Sequence, residues 1–169
     1  MKSFILEKKY EEGTVKVFKS ILRKGMIVVD VGACTGFYSL IASKIIDKDG
    51  KVFAFEPHPI NYIYLKKSIE ANRFNNIIPI NKAILDRKGI IKLFYSKDNI
   101  ADHSIVITEN REYIEVEGIS LDDFCKENNI VPDVIKMDIE GAELLALKGM
   151  RRTIKRCDLD ITRKNYMSS

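Results

Sequence analysis

Cysteine and histidine are both scarce in this 169-residue chain, which has three cysteines and two histidines. The cysteines, Cys34, Cys125 and Cys157, form no Cys-x-x-Cys pair and have no pair of histidines nearby. Neither a zinc centre nor a disulfide framework is therefore indicated, and no metal site is predicted. An odd number of scattered cysteines is typical of proteins from a reducing compartment.

Long apolar runs are also missing. No run approaches the roughly twenty residues that a membrane-crossing helix needs. The N-terminus becomes charged within its first few residues, which does not fit a secretory leader. Together with the cysteine pattern, these features predict a soluble, cytoplasmic protein with no membrane partner.

Charge of one sign is not concentrated anywhere along most of the chain. The net charge is +4, and acidic and basic residues are interleaved. No stripe of lysine and arginine with interleaved aromatic residues occurs, so no nucleic-acid partner is predicted. The one basic cluster, residues 151–156, is interpreted as a helix end, where cations are favoured. Length and composition predict one globular domain over residues 1–156, with a helical lead-in at about 10–23 and an atypical tail over 157–169.

The most informative segment that is present is a short apolar run, residues 26–31, which ends in a glycine turn at Gly32 and Gly36. A segment with helical apolar spacing follows, and a second strand-like run ends in Glu56. This order is typical of a strand–loop–helix unit in which a cofactor approaches bare backbone at the loop. Glu56 is then placed to accept two hydrogen bonds from ribose hydroxyls.

Asp30 distinguishes this turn from one that binds a dinucleotide. It precedes Gly32 by two residues, and Cys34 stands where a dinucleotide fingerprint has its middle glycine. A carboxylate at the end of the strand repels a diphosphate but suits a ligand that carries an ammonium and a sulfonium. The pattern therefore predicts S-adenosylmethionine as the cofactor. Two alternatives stay open: a nicotinamide-dependent oxidoreductase, and a plain turn that binds nothing.

Helical and strand-like patterns alternate along the chain. Helices are predicted over residues 10–23, 37–46, 61–71, 120–128 and 141–148, and strands over 26–31, 51–56, 77–81 and 134–138. Two further β-rich runs, 89–95 and 113–116, are predicted to pair as an antiparallel extension over the mouth of the cofactor site. The alternation predicts an α/β fold with a parallel sheet and helices on both faces. Asp30, Glu56 and Asp138 then fall at the carboxyl ends of strands, on one rim of the sheet.

Five segments carry a more specific pattern: Val29-Asp-Val-Gly-Ala-Cys-Thr-Gly-Phe-Tyr38, Phe55-Glu-Pro-His-Pro59, Asn81-Lys-Ala-Ile84, Ile119-Ser-Leu-Asp-Asp123 and Ile135-Lys-Met-Asp-Ile-Glu-Gly-Ala-Glu143. In this order they resemble the FkbM family of S-adenosylmethionine-dependent methyltransferases, and the last segment is the most specific. The resemblance implies a class I methyltransferase-like (Rossmann-like) fold. It also implies O-methylation of a hydroxyl on a sugar, a glycan or a polyketide-type metabolite, with a small-molecule or glycan acceptor as the partner.

The resemblance further implies roles for individual residues in binding the cofactor. Asp30, Gly32 and Gly36 would contact its methionine part, Glu56 its ribose, and the segment at Ala83 and Ile84 its adenine. Simple packing at the exit of a strand stays open for Ala83 and Ile84. The full predicted cofactor-binding set is Asp30, Gly32, Ala33, Cys34, Thr35, Gly36, Tyr38, Glu56, Pro57, Ala83, Ile84 and Asp138.

Asp138 is the first candidate for a catalytic group, because the resemblance places it facing the transferred methyl or the acceptor. An aliphatic hydroxyl must lose its proton as it attacks, either to a positioned base or through a metal ion. His103, in a polar loop, is the second candidate for that base. Asp138 and Glu140 leave a divalent cation open, although two carboxylates are a weak metal signal.

The chain departs from the family pattern after Arg156. A fifth strand and an antiparallel hairpin are expected there, but the alternation at Leu159 and Ile161 suits only an edge strand. The expected sheet therefore lacks its C-terminal strands, and self-association through an uncovered edge is expected. A non-catalytic, cofactor-binding remnant is the alternative function that this feature favours.

Overall fold

The computed structural model of the chain describes residues 12–95, 103–104, 112–139, 141–156 and 160–163. Its helices are α1 (Glu12–Ile21), α2 (Phe37–Ile46), α3 (Pro59–Ala71), α4 (Leu121–Glu127), α5 (Glu143–Lys148) and α6 (Arg151–Arg156). Its strands are β1 (Ile27–Val31), β2 (Lys51–Phe55), β3 (Ile77–Ile80), β4 (Ala83–Leu85), β5 (Gly89–Tyr95), β6 (His103–Ser104), β7 (Glu112–Ser120), β8 (Val134–Met137) and β9 (Asp160–Arg163). Each predicted helix and strand is present, with its ends either as predicted or shifted by a few residues. Across these ranges, no helix has the length and apolar character to cross a bilayer.

The main sheet is parallel and has the strand order β3-β2-β1-β8-β9. The chain builds outward from β1 in one direction through β2 and β3, and then returns to the other side of β1 with β8. Strands β1 and β8 are buried almost throughout, as central parallel strands covered on both faces should be. The carboxyl ends of β1, β2 and β8 therefore meet where the strand order reverses, which is where ligands bind in such sheets.

The two faces of the main sheet carry separate apolar cores. Val28 of β1 packs on one face, in the cluster that contains Phe18 of α1 and Leu65 of α3. Val29 and Val31 pack on the other face, in a cluster built from β2, β8, α4, α5 and the residues around them. This alternation follows the two-residue period of a strand. The α/β fold with helices on both faces is as predicted.

A second sheet has the order β4-β7-β5-β6. Strands β5 and β7 pair in antiparallel register from Gly89 to Tyr95, which confirms the predicted pairing of the two β-rich runs. Strand β4 runs parallel to β7 and was not predicted as a strand. The ring of Tyr95, at the end of β5, meets the ring of His58 edge-on with centroids 5.3 Å apart. That end of the second sheet therefore lies beside the loop that follows β2.

The sequence predicts that the sheet lacks its C-terminal strands after Arg156, and β9 supplies part of what is expected to be missing. It pairs in parallel with β8 over four positions, from Val134 with Asp160 to Met137 with Arg163. Strand β8 therefore has a neighbour on each side, and the short alternating segment forms the edge strand that its pattern allows. Within the ranges given above, no strand pairs with the outer side of β9, and no antiparallel hairpin follows it. The tail over 157–169 thus contributes to the sheet, while a domain boundary at residue 156 stays a prediction.

Candidate functional site

The glycine loop, residues 32–36, is tied to the carboxyl end of β2. The backbone N–H groups of Gly32 and Ala33 both donate to the carbonyl oxygen of Phe55, at 3.0 and 2.9 Å. The N–H of Gly36 closes the turn by donating to the carbonyl oxygen of Ala33 at 2.8 Å. Gly36 caps α2 with a φ of 98°, a conformation that favours glycine. The predicted strand, loop and helix are therefore all present.

Gly32 is required by a close approach of two backbones. Its φ is +77°, and a Cβ added there would stand 2.1 Å from the carbonyl oxygen of Asp138. The N–H of Asp138 donates to the carbonyl oxygen of Val31 at 3.0 Å. The structure thus brings Asp138 against the glycine loop, as the shared rim of the sheet predicted.

Glu56 links the tip of β2 to the glycine loop. One carboxylate oxygen accepts from the N–H of Cys34 at 2.8 Å, and the other accepts from the N–H of His58 at 2.9 Å. Only 5% of the residue is exposed. Burial raises the pKa of Glu56 to about 7, although the hydrogen bonds from His58 and Cys34 act in the opposite direction. Each carboxylate oxygen has a second lone pair, so Glu56 retains acceptor capacity for ribose hydroxyls.

Cys34 contributes its backbone rather than its thiol. It takes a left-handed conformation with a φ of 50°, which turns its N–H toward Glu56. Burial raises the pKa of the Cys34 thiol, and the neighbouring Glu56 carboxylate raises it further. The amide of Asn61 lies 3.8 Å from the sulfur as a donor. The protonated thiol is a weak nucleophile, so Cys34 is not a candidate for covalent chemistry.

Asp30 lies beneath the loop and is fully buried. One of its carboxylate oxygens is 3.0 Å from the ammonium of Lys136, and the other accepts from the hydroxyl of Ser39 at 2.7 Å. The structure therefore gives Asp30 a counter-ion from within the chain. A direct contact of Asp30 with the methionine part of a cofactor stays a prediction.

The other predicted cofactor residues divide into a rim group and a buried group. Thr35 and Pro57 are half-buried at the rim. Tyr38 is buried and packs edge-to-face against the rings of Phe18 and Phe37, with centroids 5.3 Å away in each case.

Ala83 and Ile84 are buried in β4, where they pair with Gly118 and Ile119 of β7. This position supports the packing alternative for both residues. Their predicted role near adenine is not tested.

The structure describes more of Asp138 than of His103, the two catalytic candidates. Asp138 follows β8 directly and borders the loop. The backbone of His103 in β6 pairs with that of Tyr95 in β5. The side chain of His103 and the whole of Glu140 lie outside the described parts of the structure. Among the residues that are described, no group of three or more histidine, cysteine or acidic side chains is arranged to hold a metal ion.

Three residues near the site were missed by the sequence reasoning: Lys136, Ser39 and Asn81. The amide of Asn81 donates to the carbonyl oxygens of Glu56 and Pro57, at 2.8 and 3.0 Å, and so holds the backbone of the β2 tip. Lys136 did leave a signal, because it is the one charged residue in the otherwise apolar strand β8. A buried ammonium needs a counter-ion, and the structure places Asp30 on the neighbouring strand.

Fold and site together define a Rossmann-like domain with an acidic, glycine-containing cofactor rim. A family model described as the methyltransferase FkbM domain matches residues 30–166. The chain therefore belongs to the FkbM methyltransferase family, which confirms the resemblance. The cofactor that this family implies is S-adenosylmethionine, as predicted.

Comparison with individual proteins gives relatives that are longer than this chain. Hexuronic acid methyltransferase AglP of Haloferax volcanii is 25% identical over 146 residues, which cover 86% of this chain and 58% of AglP. A solved FkbM methyltransferase from Methylobacillus flagellatus has a TM-score of 0.58 and 21% identity, with coverage of 88% of this chain and 39% of that protein. A SAM-dependent methyltransferase from Aquifex aeolicus has a TM-score of 0.52 and 19% identity, with coverage of 94% and 67%. The two structures support the class I methyltransferase fold. The chain spans little more than half the length of AglP.

Proposed function

We propose that this chain binds S-adenosylmethionine at the rim formed by β1, β2 and β8 and transfers its methyl group to a hydroxyl of a sugar, glycan or polyketide-type metabolite. The observation that carries the proposal is the position of Glu56. Its carboxylate stands at the tip of β2, joined to the glycine loop through Cys34, where the strand order reverses. This is the place and the chemistry that a ribose needs.

The residues present fit an adenosyl ligand that has no phosphate. The rim carries the carboxylates of Glu56 and Asp138, while the ammonium of Lys136 beneath the glycine loop is buried against Asp30. A diphosphate would meet repulsion there, whereas a ligand with positive charge would be attracted. The nicotinamide-dependent alternative is disfavoured for the same reason.

Asp138 is the residue that we propose as the general base. When bound, the cofactor supplies an electrophilic methyl group on a sulfonium, whose sulfur keeps the bonding electron pair as the new carbon–oxygen bond forms. The chain's part is to align the acceptor hydroxyl for in-line attack and to accept its proton at the Asp138 carboxylate. Asp138 borders the loop, so one rim would present both groups. His103 stays the second candidate for the base.

A sugar hydroxyl is the acceptor class to test first, because the relative AglP is named a hexuronic acid methyltransferase. Neither a nucleic acid nor a membrane is proposed as a partner, and a cytoplasmic location stays a prediction. The acceptor panel should also include glycans and polyketide-type alcohols.

Calorimetry with S-adenosylmethionine and with NAD tests the cofactor, and methyl transfer to the acceptor panel tests the reaction. We expect binding of S-adenosylmethionine only, and a Glu56→Ala variant that binds it at least tenfold more weakly, since hydrogen bonds to a charged group contribute about 1.5–3 kcal/mol each. Asp138→Asn should lose transfer while still binding the cofactor, although more weakly, because one rim carboxylate is removed. Unchanged affinity in Glu56→Ala would contradict the ribose assignment. Binding without transfer to any acceptor would support the non-catalytic alternative.

A further inference from the structure

The most unusual buried group in the described parts of the chain is an ion pair that spans the centre of the main sheet. Asp30 of β1 and Lys136 of β8 are direct neighbours in the parallel register of the two strands. Their side chains extend from the same face, the carboxylate and ammonium are 3.0 Å apart, and the side chains are only 1% and 9% exposed. Such a pair is costly to desolvate, so each partner depends on the other.

The ammonium of Lys136 contacts more than Asp30. It donates to the carbonyl oxygen of Gly32 at 3.1 Å and lies 4.8 Å from the centre of the Tyr38 ring. An ammonium has three N–H donors, and a carboxylate, a carbonyl and an aromatic face are all groups that attract it. Lys136 thus joins β8 to β1, to the glycine loop and to α2.

Lys136 also completes the fixation of the Gly32 backbone. The N–H of Gly32 is held by Phe55, and its carbonyl oxygen is held by Lys136. Gly32 is in addition the residue whose Cα lies against the carbonyl of Asp138. One buried side chain therefore helps to hold the loop beside the segment that bears the proposed base.

The pair changes what Asp30 can do electrostatically. A buried carboxylate with an ammonium 3.0 Å away presents a dipole to its surroundings rather than a net negative charge. The field of a dipole falls off faster than that of a charge, so the attraction for a ligand's cation is mostly cancelled.

We infer that Lys136 is a positioning residue of the cofactor site, and that Asp30 acts through Lys136 and the glycine loop rather than as the counter-charge of the cofactor's methionine end. The inference rests on the proposed function. It differs from the expectation that the sequence alone suggested for Asp30.

Three adenosyl ligands with different charges separate the two roles of Asp30. S-adenosylmethionine carries an ammonium and a sulfonium, S-adenosylhomocysteine carries the ammonium only, and methylthioadenosine carries neither. Calorimetry would measure all three ligands with the parent chain, Asp30→Asn, Lys136→Met and the double variant. We expect each single variant to weaken all three ligands by a similar factor of about tenfold, because the loop is loosened. The double variant should recover part of that loss, because neither charge is left buried alone.

Lys136→Met gives the sharpest contrast, since a positioning role predicts an equal loss for all three ligands. If Asp30 were the counter-charge, removing Lys136 would unmask it and strengthen S-adenosylmethionine relative to methylthioadenosine. That result, or a loss in Asp30→Asn that spares methylthioadenosine, would overturn the inference. Parent chain that binds none of the three ligands would instead overturn the proposed function.

Ser39→Ala is the matched control, because it removes a hydrogen bond to the same carboxylate and leaves the ion pair in place. We expect it to change the affinity for each ligand by no more than about twofold. Denaturant unfolding of every variant shows whether it is folded. If Asp30→Asn does not fold, the comparison of Lys136→Met with the parent still decides between the two roles of Asp30.

Discussion

Glu56 is the residue in which structure and chemistry are most tightly joined. Its buried carboxylate accepts from two backbone N–H groups, and burial still raises its pKa to about 7 from an ordinary value of 4.5. Asp30, which is also buried, raises the pKa further, whereas Lys136 lowers it. The protonation state of the ribose-binding candidate therefore changes close to neutral pH.

Opposite pH dependences of stability and of cofactor affinity follow from this raised pKa. Between pH 4.5 and about 7 the folded state holds a proton on Glu56 that the unfolded chain has lost. The free energy of unfolding should therefore rise as the pH is lowered through this window. Affinity for S-adenosylmethionine should fall over the same window, because the ionised carboxylate is the stronger acceptor.

Denaturant unfolding and calorimetry at a series of pH values measure the two trends. Glu56→Gln is the control and should remove the contribution of Glu56 to both of them. Burial lowers the pKa of the His58 imidazole, so below its ordinary value of 6.5 His58 acts on stability in the opposite direction, and the difference between the parent and Glu56→Gln isolates Glu56. Parent chain whose affinity stays constant across the window would contradict the assignment of Glu56.

The sequence predicted Glu56 but not the pair of Lys136 with Asp30. Glu56 follows from a local spacing within one strand–loop–helix unit, and local spacing is legible in a sequence. Lys136 contacts Gly32 across 104 residues of chain, and only the strand order brings β8 beside β1. The sequence pattern alone therefore assigns Asp30 a ligand as its partner, because local spacing does not reveal that Lys136 lies beside it.

At the scale of elements, the glycine loop packs so closely against the backbone of Asp138 that only glycine fits at position 32. Gly32→Ala would place a Cβ 2.1 Å from the carbonyl oxygen of Asp138, in addition to the strain of its positive φ. Gly25→Ala is a matched control, since Gly25 has a φ of +80° and nothing within 4 Å of the added Cβ.

We expect Gly25→Ala to lower the free energy of unfolding by about 1–2 kcal/mol, the cost of a left-handed conformation. Gly32→Ala should cost a further 1–3 kcal/mol or so for overpacking, and it should also weaken S-adenosylmethionine. Denaturant unfolding and calorimetry on the two variants give both quantities. Equal effects of the two substitutions would show that the contact with Asp138 is not tight.

Asp122 of α4 makes three hydrogen bonds to the first turn of α6. It accepts from the N–H and the hydroxyl of Thr153, at 2.7 and 2.8 Å, and from the N–H of Arg152 at 3.0 Å. Burial would raise the pKa of Asp122, but hydrogen bonds from Arg152 and Thr153 outweigh it and hold the pKa below its ordinary value of 3.8. Its contribution to stability is thus present above pH 3.8 and is lost as the pH falls through the lowered pKa.

Asp122→Asn should lower the free energy of unfolding at neutral pH by about 1–3 kcal/mol and leave cofactor affinity unchanged. The difference from the parent should shrink in acid, where the carboxylate of the parent is protonated. Asp123→Asn is the control, because Asp123 makes an exposed ion pair with Arg152 and should cost less than about 1 kcal/mol. Denaturant unfolding at two pH values makes the comparison, and equal losses for Asp122 and Asp123 would refute it.

Elements with a clear apolar period could be predicted from the sequence, whereas short strands that form only by pairing with a distant segment could not. Helix α2 has the predicted ends because its apolar spacing and the glycine before it are local signals. Strand β4 has only three residues, and it exists because β7 pairs with it from more than thirty residues away. Strand β9 has few apolar residues and is positioned by β8.

At the scale of the whole molecule, the outer side of β9 is where we propose that the chain self-associates. Among the described residues no strand pairs with this side of β9, and an edge strand with unpaired backbone groups is a template for another chain. Successive N–H groups of a strand point to opposite sides. Proline at one of two neighbouring positions of β9 therefore removes a donor from the edge that faces β8, and proline at the other position removes a donor from the outer edge. One of Ile161→Pro and Thr162→Pro should lower stability by disturbing the pairing with β8, and the other should reduce association.

Light scattering over a range of concentrations measures the molar mass, and denaturant unfolding measures the stability of each variant. We expect the mass of the parent chain to rise with concentration. A parent chain that stays monomeric at all concentrations would contradict self-association through this edge.

The position of β8 in the strand order has a consequence for how the protein is made. The chain leaves the ribosome from its N-terminus, so β1, β2 and β3 are available long before β8. Until β8 arrives, Asp30 lacks its ammonium partner and the Gly32 carbonyl lacks its donor. Joining β1 to β8 also closes a loop of about a hundred residues, and such non-local pairing is slow. During synthesis we therefore expect the candidate cofactor rim to be the last part of the main sheet's centre to become ordered, and the proposed adenosyl ligand to find no complete site until Asp138 has left the ribosome.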